Sequence, residues 1–381
     1  MTAETPIMRG LENVVVASTA LSAIDGTAGR LSYAGYDIHD LAERATFEEV
    51  FYLLWYGDLP NATQLRAFSE RLRTARPLSE AELALVGGIP SSGHGMDALR
   101  TLVSELGQLD SHADASDPED VERIGIRIAA KMPTLIAAWD GRRNGKQPVA
   151  PDDQLGHAAN FLYMLHDKQP SDVAKRAFNT YLILLAEHGL NASTFAARVA
   201  IGAQADVYCA IVAAIGTLKG LLHGGANQKA METFLEIGEP EKARAYIDNM
   251  LANHQRLMGV GHRIYKVEDP RVRHLRPQAE ALAHERGGQG MAVADEVGRV
   301  IVEHPFFTQR KLFPNVEFYS APVLYGLGLP LDLFTAAFAI SRIAGWMAHI
   351  REQLADNRLI RPKADYSGPA PRAFVPLEQR A

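Results

Sequence analysis

The sequence predicts an all-α fold carrying one small β hairpin near its start. Three observations carry this expectation. From Asp37 onward, apolar residues recur at helical spacing in segment after segment. β-branched and turn residues dominate only within the first fifty positions. The composition, 47% hydrophobic and 22% charged, is that of an ordinary globular chain with a sizeable core. With 381 residues there is room for one large domain and a smaller one.

The elements follow in order. In VVVASTALSAIDGTAGRLSYAGYDI, Asp25-Gly26 and Gly29 punctuate two short strand candidates, the expected hairpin. DIHDLAERATFEEVFYLLWYG then turns helical, with Leu41, Val50, Leu53 and Leu54 on one face and Thr46 with Glu49 as a capping-box signal. ATQLRAFSERLRTAR, LSEAELALVGGIP and DALRTLVSELGQLD are short amphipathic helices, and the polar 110–120 stretch is a surface loop. Pro133 predicts a kink or break in the helix that follows. Ser171 caps the next helix. DVYCAIVAAIGTLKGLLHGG is apolar on nearly every face and should be central, with Cys209 buried in it. The helices of 239–257 and 273–287 are more charged and more exposed. Residues 329–357 return to buried helix, and the tail from Arg361, with four prolines, is an extended arm.

Charge excludes some functions. A net charge of −6 and the lack of any basic block argue against nucleic-acid binding. No long charge-free apolar run predicts a membrane span, and no basic-then-apolar start predicts secretion. A single cysteine cannot form an internal disulfide, which fits a reducing, cytoplasmic setting. No metal site is expected, because His-Glu-x-x-His and paired cysteines are absent. Serine-hydrolase and phosphate-loop signatures are absent too.

The chemistry-bearing residues form a set. His188, His223 and His262 each sit beside glycine at a helix junction, where a ligand can approach the backbone. Arg342 lies in an apolar helix, and Arg271 and Arg361 lie in or before turns. An arginine cannot shed its proton, so each needs an anionic partner, either a structural carboxylate or a substrate carboxylate. Glu317 is a lone acid among Val316, Phe318 and Tyr319, in what reads as an apolar loop after Pro314 and Asn315. Such a set suits proton abstraction beside a carbonyl: an acid as base, neutral histidines as donors to enol and carbonyl oxygens, arginines gripping a dicarboxylate.

Five ordered motifs, AEHGLNASTF (186–195), LKGLLHGGAN (218–227), MGVGHRIYKVEDPR (258–271), FPNVEFYSA (313–321) and FAISRIAGWMAHIREQ…NRLIRPKADYSGP (338–369), resemble the citrate synthase family. The resemblance covers nearly the whole chain. It implies an acyltransferase of the citrate (Si)-synthase type, a tricarboxylic acid cycle activity that condenses acetyl-CoA with oxaloacetate and needs no cofactor. His223 then stabilises the enol of acetyl-CoA, His262 polarises the oxaloacetate ketone, and Glu317 removes the methyl proton. His188, Arg271, Arg342 and Arg361 match carboxylate ligands, Arg361 reaching across a homodimer interface, and Phe338 packs near the citrate. Leu257, Met258, Gly259, Val260, Gly261 and Asn315 match the adenine and pantetheine side of the CoA site, and Lys266 a phosphate contact. The family fold implies a small domain at about 225–328, inserted into a large domain formed by 1–224 and 329–381 and closing over substrate. The short chain resembles the dimeric form rather than the larger NADH-inhibited hexamers.

One departure stands out. Glu317 occupies a position where the family commonly has Asp, and Ala321 one where Gly is common. The extra methylene moves the carboxylate by about 1 Å, a displacement that can matter about a hundredfold in rate. Two alternatives remain beside citrate synthase: 2-methylcitrate synthase, whose propionyl-CoA differs by one methylene worth about 1–3 kcal/mol in a pocket, and a non-catalytic CoA-binding or assembly paralogue.

Overall fold

The computed structural model describes residues 7–286 and 289–380. Strands β1 (Ser22–Asp25), β2 (Arg30–Tyr33) and β3 (Tyr36–Asp37) form an antiparallel sheet in that order. Asp25 builds the first turn by accepting from the peptide N–H groups of Thr27 and Ala28, both at 2.9 Å. Gly35, at φ +88°, turns the chain back again, so the expected hairpin gains a third, two-residue strand.

Seventeen α-helices follow among the described residues. They are α1 (Ile38–Arg44), α2 (Phe47–Tyr56), α3 (Ala62–Ala75), α4 (Glu80–Gly88), α5 (Gly95–Gln108), α6 (Pro118–Arg143), α7 (His157–His166), α8 (Asp172–Leu185) and α9 (Ala192–Gly202). Then come α10 (Val207–Leu218), α11 (Ala226–Ile237), α12 (Ala243–Ala252), α13 (Val272–Arg286), α14 (Gln289–Glu303), α15 (Pro305–Gln309), α16 (Val316–Gly326) and α17 (Phe334–Ala355). The all-α reading holds.

Caps explain several boundaries. Thr46 and Glu49 make the expected capping box and split α1 from α2, and Ser171 caps α8. Two local expectations fail. Helix α6 runs unbroken through Pro133, because residues 128–140 are buried and their packing outweighs one missing backbone bond. Cys209 is exposed, not buried: α10 leaves Cys209 and Gly216 open along one stripe, with Val212 and Ala213 half-covered between them.

The core centres on α17, which packs against α2, α6, α8, α9 and α10. The segment Leu331–Ala355 is long and apolar enough to cross a bilayer, yet its most apolar stretch is buried inside the fold, as in a core helix. Five features converge around its middle: the turn after α8, the turn after α10, the 257–271 segment, the start of α16, and α17 itself. The small sheet braces two of these. The Tyr33 hydroxyl donates to the Glu187 carbonyl at 2.9 Å, and Ser22 Oγ donates to the Glu187 carboxylate at 3.0 Å. On the other side, a Cβ at Gly26 would stand 2.3 Å from the Ile264 carbonyl oxygen, so only glycine permits this approach. There the Lys266 N–H donates to the Gly26 carbonyl at 2.8 Å.

Candidate active site

His188 follows α8 in a turn held by Glu187. Gly189, at φ +58°, lets the chain bend, and the buried Glu187 carboxylate also accepts from or pairs with His349 at 3.1 Å. Tyr265 meets His188 on its other side, hydroxyl to Nε2 at 3.1 Å. The rings of His188, His262 and Tyr265 form a triangle with centroids 4.8 to 5.5 Å apart. Burial, helped by the positive fields of Arg271 and Arg342, pushes His188 well below the usual histidine pKa, so the ring is neutral.

His262 has a defined tautomer. Its Nδ1 accepts from the peptide N–H groups of Ile264 and Tyr265 at 3.1 and 3.2 Å. A peptide N–H can only donate, so the proton of the neutral ring sits on Nε2. Burial and Arg271 lower its pKa to about 4.

His223 closes the turn between α10 and α11. The Ser193 N–H donates to its Nε2 at 3.4 Å, and Ser193 Oγ lies 2.8 Å from the same nitrogen. These two contacts pull opposite ways: the peptide N–H calls for a bare Nε2, whereas the hydroxyl, whose one proton goes to Asn191, calls for a protonated one. The Trp346 indole N–H donates to Ser193 Oγ at 3.1 Å, and Ser193 Oγ donates to Asn191 at 2.8 Å, so the hydroxyl is fixed from three sides. Burial, then Arg342, lowers the His223 pKa to about 3. Its ring meets Phe338 edge-on at 6.2 Å, and the Arg342 guanidinium lies 4.8 Å over that same Phe338 ring.

The three arginines differ. Arg271 is gripped by Asp269, Nε at 2.9 Å and NH2 at 2.7 Å, with both side chains buried. Its NH1 is left for another partner. Arg342 is 1% exposed and donates from Nε to the Leu185 carbonyl at 2.7 Å. It forms no ion pair with any carboxylate among the described residues. Glu187 acts on it only through its longer-range field. Arg361 lies exposed on the C-terminal stretch and bonds to no described residue, so the fold of one chain does not bring it to the cluster.

Glu317 is not in a loop. It is the second residue of α16, whose N-cap Asn315 accepts the Glu317 N–H at 3.0 Å. Pro314 and Asn315 start a helix here rather than interrupting one. The side chain keeps some accessible surface, while protein surrounds its carboxyl closely enough for desolvation to dominate. Burial raises its pKa above the ordinary glutamate value, against the lowering fields of Arg271 and Arg342. Among the described residues, no neighbouring side chain hydrogen-bonds to its carboxylate.

The residues expected on the CoA side form a short ladder. Val260 bridges Pro314, the Gly261 N–H donates to the Phe313 carbonyl at 2.7 Å, and the Asn315 N–H donates to the Gly259 carbonyl at 2.9 Å. Asn315 Nδ2 adds a bond to the Gly261 carbonyl at 2.8 Å. Gly259 and Gly261 take φ +79° and +81°. Leu257 is mostly buried, Met258 is half-buried, and Lys266 is exposed beside Arg263.

Ser193, Tyr265, Asp269 and Trp346 escaped the residue-by-residue reading. Asp269 had a local signal, two positions before Arg271. The contacts of Ser193 and Trp346 join residues far apart in sequence, which no spacing rule reveals.

Neutral imidazole donors, an unpaired buried guanidinium and a raised carboxylate define an enzyme site for acid–base chemistry on a carboxylate-bearing carbonyl compound. A family model described as citrate synthase, C-terminal domain, matches residues 10–363. Citrate synthase 2 of Bacillus subtilis is 46% identical, over 98% of this chain and 99% of that protein. 2-Methylcitrate synthase 2 of Corynebacterium glutamicum is 41% identical, over 99% and 98%. The ternary complex of Thermoplasma acidophilum citrate synthase with carboxymethyl coenzyme A and oxaloacetate superposes with a TM-score of 0.93 at 31% identity, covering 98% of this chain and all of that one. The chain belongs to the citrate synthase family.

Proposed function

We infer that this enzyme condenses acetyl-CoA with oxaloacetate and water to give citrate and CoA. The observation that carries this is Arg342, a buried guanidinium without a carboxylate, next to an Arg271 with a free NH1. A dicarboxylate substrate supplies the missing anions, bidentately where geometry allows. Glu317 takes a proton from the acetyl methyl group. His223 donates a ring N–H to the thioester oxygen as it becomes an enol. His262 Nε2–H polarises the ketone, and the new carbon–carbon bond leaves an alkoxide that takes this proton. Water then cleaves the thioester, releasing citrate and the CoA thiol. Both donors are neutral at working pH, so they stabilise developing charge without first losing a proton to solvent. No cofactor is required, since the carboxylate and the two imidazoles supply every proton movement.

The CoA moiety lies along 257–261 and Asn315, with Lys266 towards phosphate. A small domain of about 225–328 closes over the site and excludes water. The enzyme works as a homodimer: the open stripe on α10 is covered by a second copy, and Arg361 enters the neighbouring site. The single, unpaired thiol of Cys209 suits the cytoplasm.

The test is thiol release with oxaloacetate and either acetyl-CoA or propionyl-CoA, with Glu317→Ala as control. Acetyl-CoA gives the higher kcat/KM and the variant is inactive. A propionyl preference would establish 2-methylcitrate synthase instead. Equal slow release by wild type and variant would establish a binding protein.

A further inference from the structure

Asp25-Gly26 reads in the sequence as a hairpin turn with no part in the chemistry. We propose that Gly26 is a positioning residue for the reaction: the tip of the hairpin holds the segment 264–268, and through it the ring of His262. This rests on the condensation proposed above.

The contact is backbone against backbone. The Gly26 carbonyl accepts the Lys266 N–H at 2.8 Å. A Cβ at Gly26 would stand 2.3 Å from the Ile264 carbonyl oxygen and 2.8 Å from its carbon, so any side chain here pushes residue 264 away. Gly26 is not in the left-handed region, so space rather than conformation calls for glycine. Gly29 repeats the fit on the same tip, where a Cβ would stand 2.8 Å from Val267 Cγ2. The segment gripped in this way carries the two peptide N–H groups, of Ile264 and Tyr265, that bond His262 Nδ1 at 3.1 and 3.2 Å. They leave the ring proton on Nε2, the atom that faces the ketone in the proposed reaction. Displacing residue 264 therefore displaces a donor that orients this ring. The far end of the same strand is tied down as well. Ser22 Oγ accepts the Gly189 N–H at 3.1 Å and donates to the Glu187 carboxylate at 3.0 Å. Strand β1 thus runs from the turn of His188 to the loop of His262, and the two rings stand 5.3 Å apart across it.

A glycine that merely closed a turn predicts something else. Its replacement would lower the folded fraction and leave each folded molecule as active as before. A positioning glycine predicts a folded protein whose kcat falls while its KM values move far less, because the ketone is polarised most strongly in the transition state.

The experiment compares Gly26→Ala with Gly35→Ala in the full chain. Gly35 turns the same sheet at φ +88°, and a Cβ there meets nothing within 4 Å, so its variant strains the hairpin without touching 264–268. Thiol release gives kcat and KM for both substrates per folded molecule, with the folded fraction taken from melting curves. Histidine 15N spectra report the His262 ring, assigned with His262→Gln. In Gly26→Ala kcat falls about a hundredfold, the scale of a displacement of about 1 Å. The His262 ring, protonated on Nε2 in wild type, becomes a mixture of tautomers. Gly35→Ala keeps the wild-type kcat and the wild-type ring signals. A wild-type kcat in folded Gly26→Ala, unchanged His262 signals in that variant, or an equal loss in Gly35→Ala would each overturn the inference and leave the condensation intact. If Gly26→Ala does not fold, Gly29→Ala decides, since it presses on the Val267 side chain. A loss of kcat that a second change, Val267→Ala, restores upholds the inference; a wild-type kcat or an unrestored loss overturns it. Should wild type release no CoA thiol, the condensation falls, and the His262 signals of the glycine variants alone uphold or overturn the positioning.

Discussion

At the scale of one residue, Glu317 shows how three effects compete. The N-terminus of α16 and the fields of two arginines favour its charged form. Burial opposes them and prevails, so its pKa lies above the ordinary value. That direction suits a general base, whose strength grows as its pKa approaches the working pH. The neutral histidines stay unprotonated down to about 4 and about 3. The acid limb of kcat/KM for acetyl-CoA therefore belongs to Glu317: activity falls as pH drops through the raised pKa of this carboxyl. Glu317→Gln keeps the shape, abolishes the limb and lowers kcat by about 10²–10⁴-fold. Glu317→Asp keeps the limb and retains kcat/KM within about tenfold, because an ionisable carboxylate remains on a helix end that can follow it. An unchanged limb in Glu317→Gln would assign the base elsewhere. The sequence made this acid visible because a lone carboxylate among aromatics is costly. It hid the tautomer of His262, since that depends on which peptide N–H groups the fold brings to the ring.

At the scale of elements, Asn315 does two jobs with two atoms. Its Oδ1 caps α16, and its Nδ2 holds the Gly261 carbonyl, so the strip expected to carry CoA is tied to the helix carrying Glu317. The two jobs separate by substitution. Asn315→Ala loses both, and costs about 1 kcal/mol of stability for the cap alone. Asn315→Asp keeps a capping oxygen, loses the amide donor, and sets a carboxylate against the Gly261 carbonyl. We expect near-normal melting for Asn315→Asp, with a raised KM for acetyl-CoA and an unchanged KM for oxaloacetate. Equal damage to both KM values would show that the tie to 261 is not specific to the CoA side. The same elements show what a sequence encodes locally. Caps at Thr46 and Ser171, and the turn at Asp25-Gly26, are short-range and could be read from spacing; the Asn315 cap is equally local, yet beside Pro314 it reads as the edge of a loop. The continuity of α6 through Pro133 is a tertiary effect, because buried neighbours on every side make up for one backbone bond. The exposure of Cys209 has the same origin: an apolar periodicity says that a helix face will be covered, but not by what.

At the scale of the molecule, that uncovered face and the exposed arm belong to one question. Residues from 359 onward run out from the body with Leu359, Tyr366, Phe374 and Leu377 open to solvent, an unfavourable display for a chain that stays alone. Among the described residues their bonds stay within the arm itself, as from Tyr366 to Pro369 and from Arg380 to Val375. Arg361 sits at the root of this arm, a cation with no partner among the described residues. If a symmetric dimer forms, each arm lies on the other copy, and each site is completed by a guanidinium from its neighbour. This has a consequence that no single-chain arrangement shares. Arg361→Ala loses a carboxylate ligand and Glu317→Ala loses the base, so each variant alone is inactive. Unfolded together and refolded, half the dimers pair one of each. In such a dimer the site with an intact Glu317 receives the intact Arg361 of its companion, while the second site lacks both. Activity therefore returns to about a quarter of the wild-type value. If Arg361 served its own chain, every site in the mixture would lack one group or the other, and the mixture would stay as inactive as its parts.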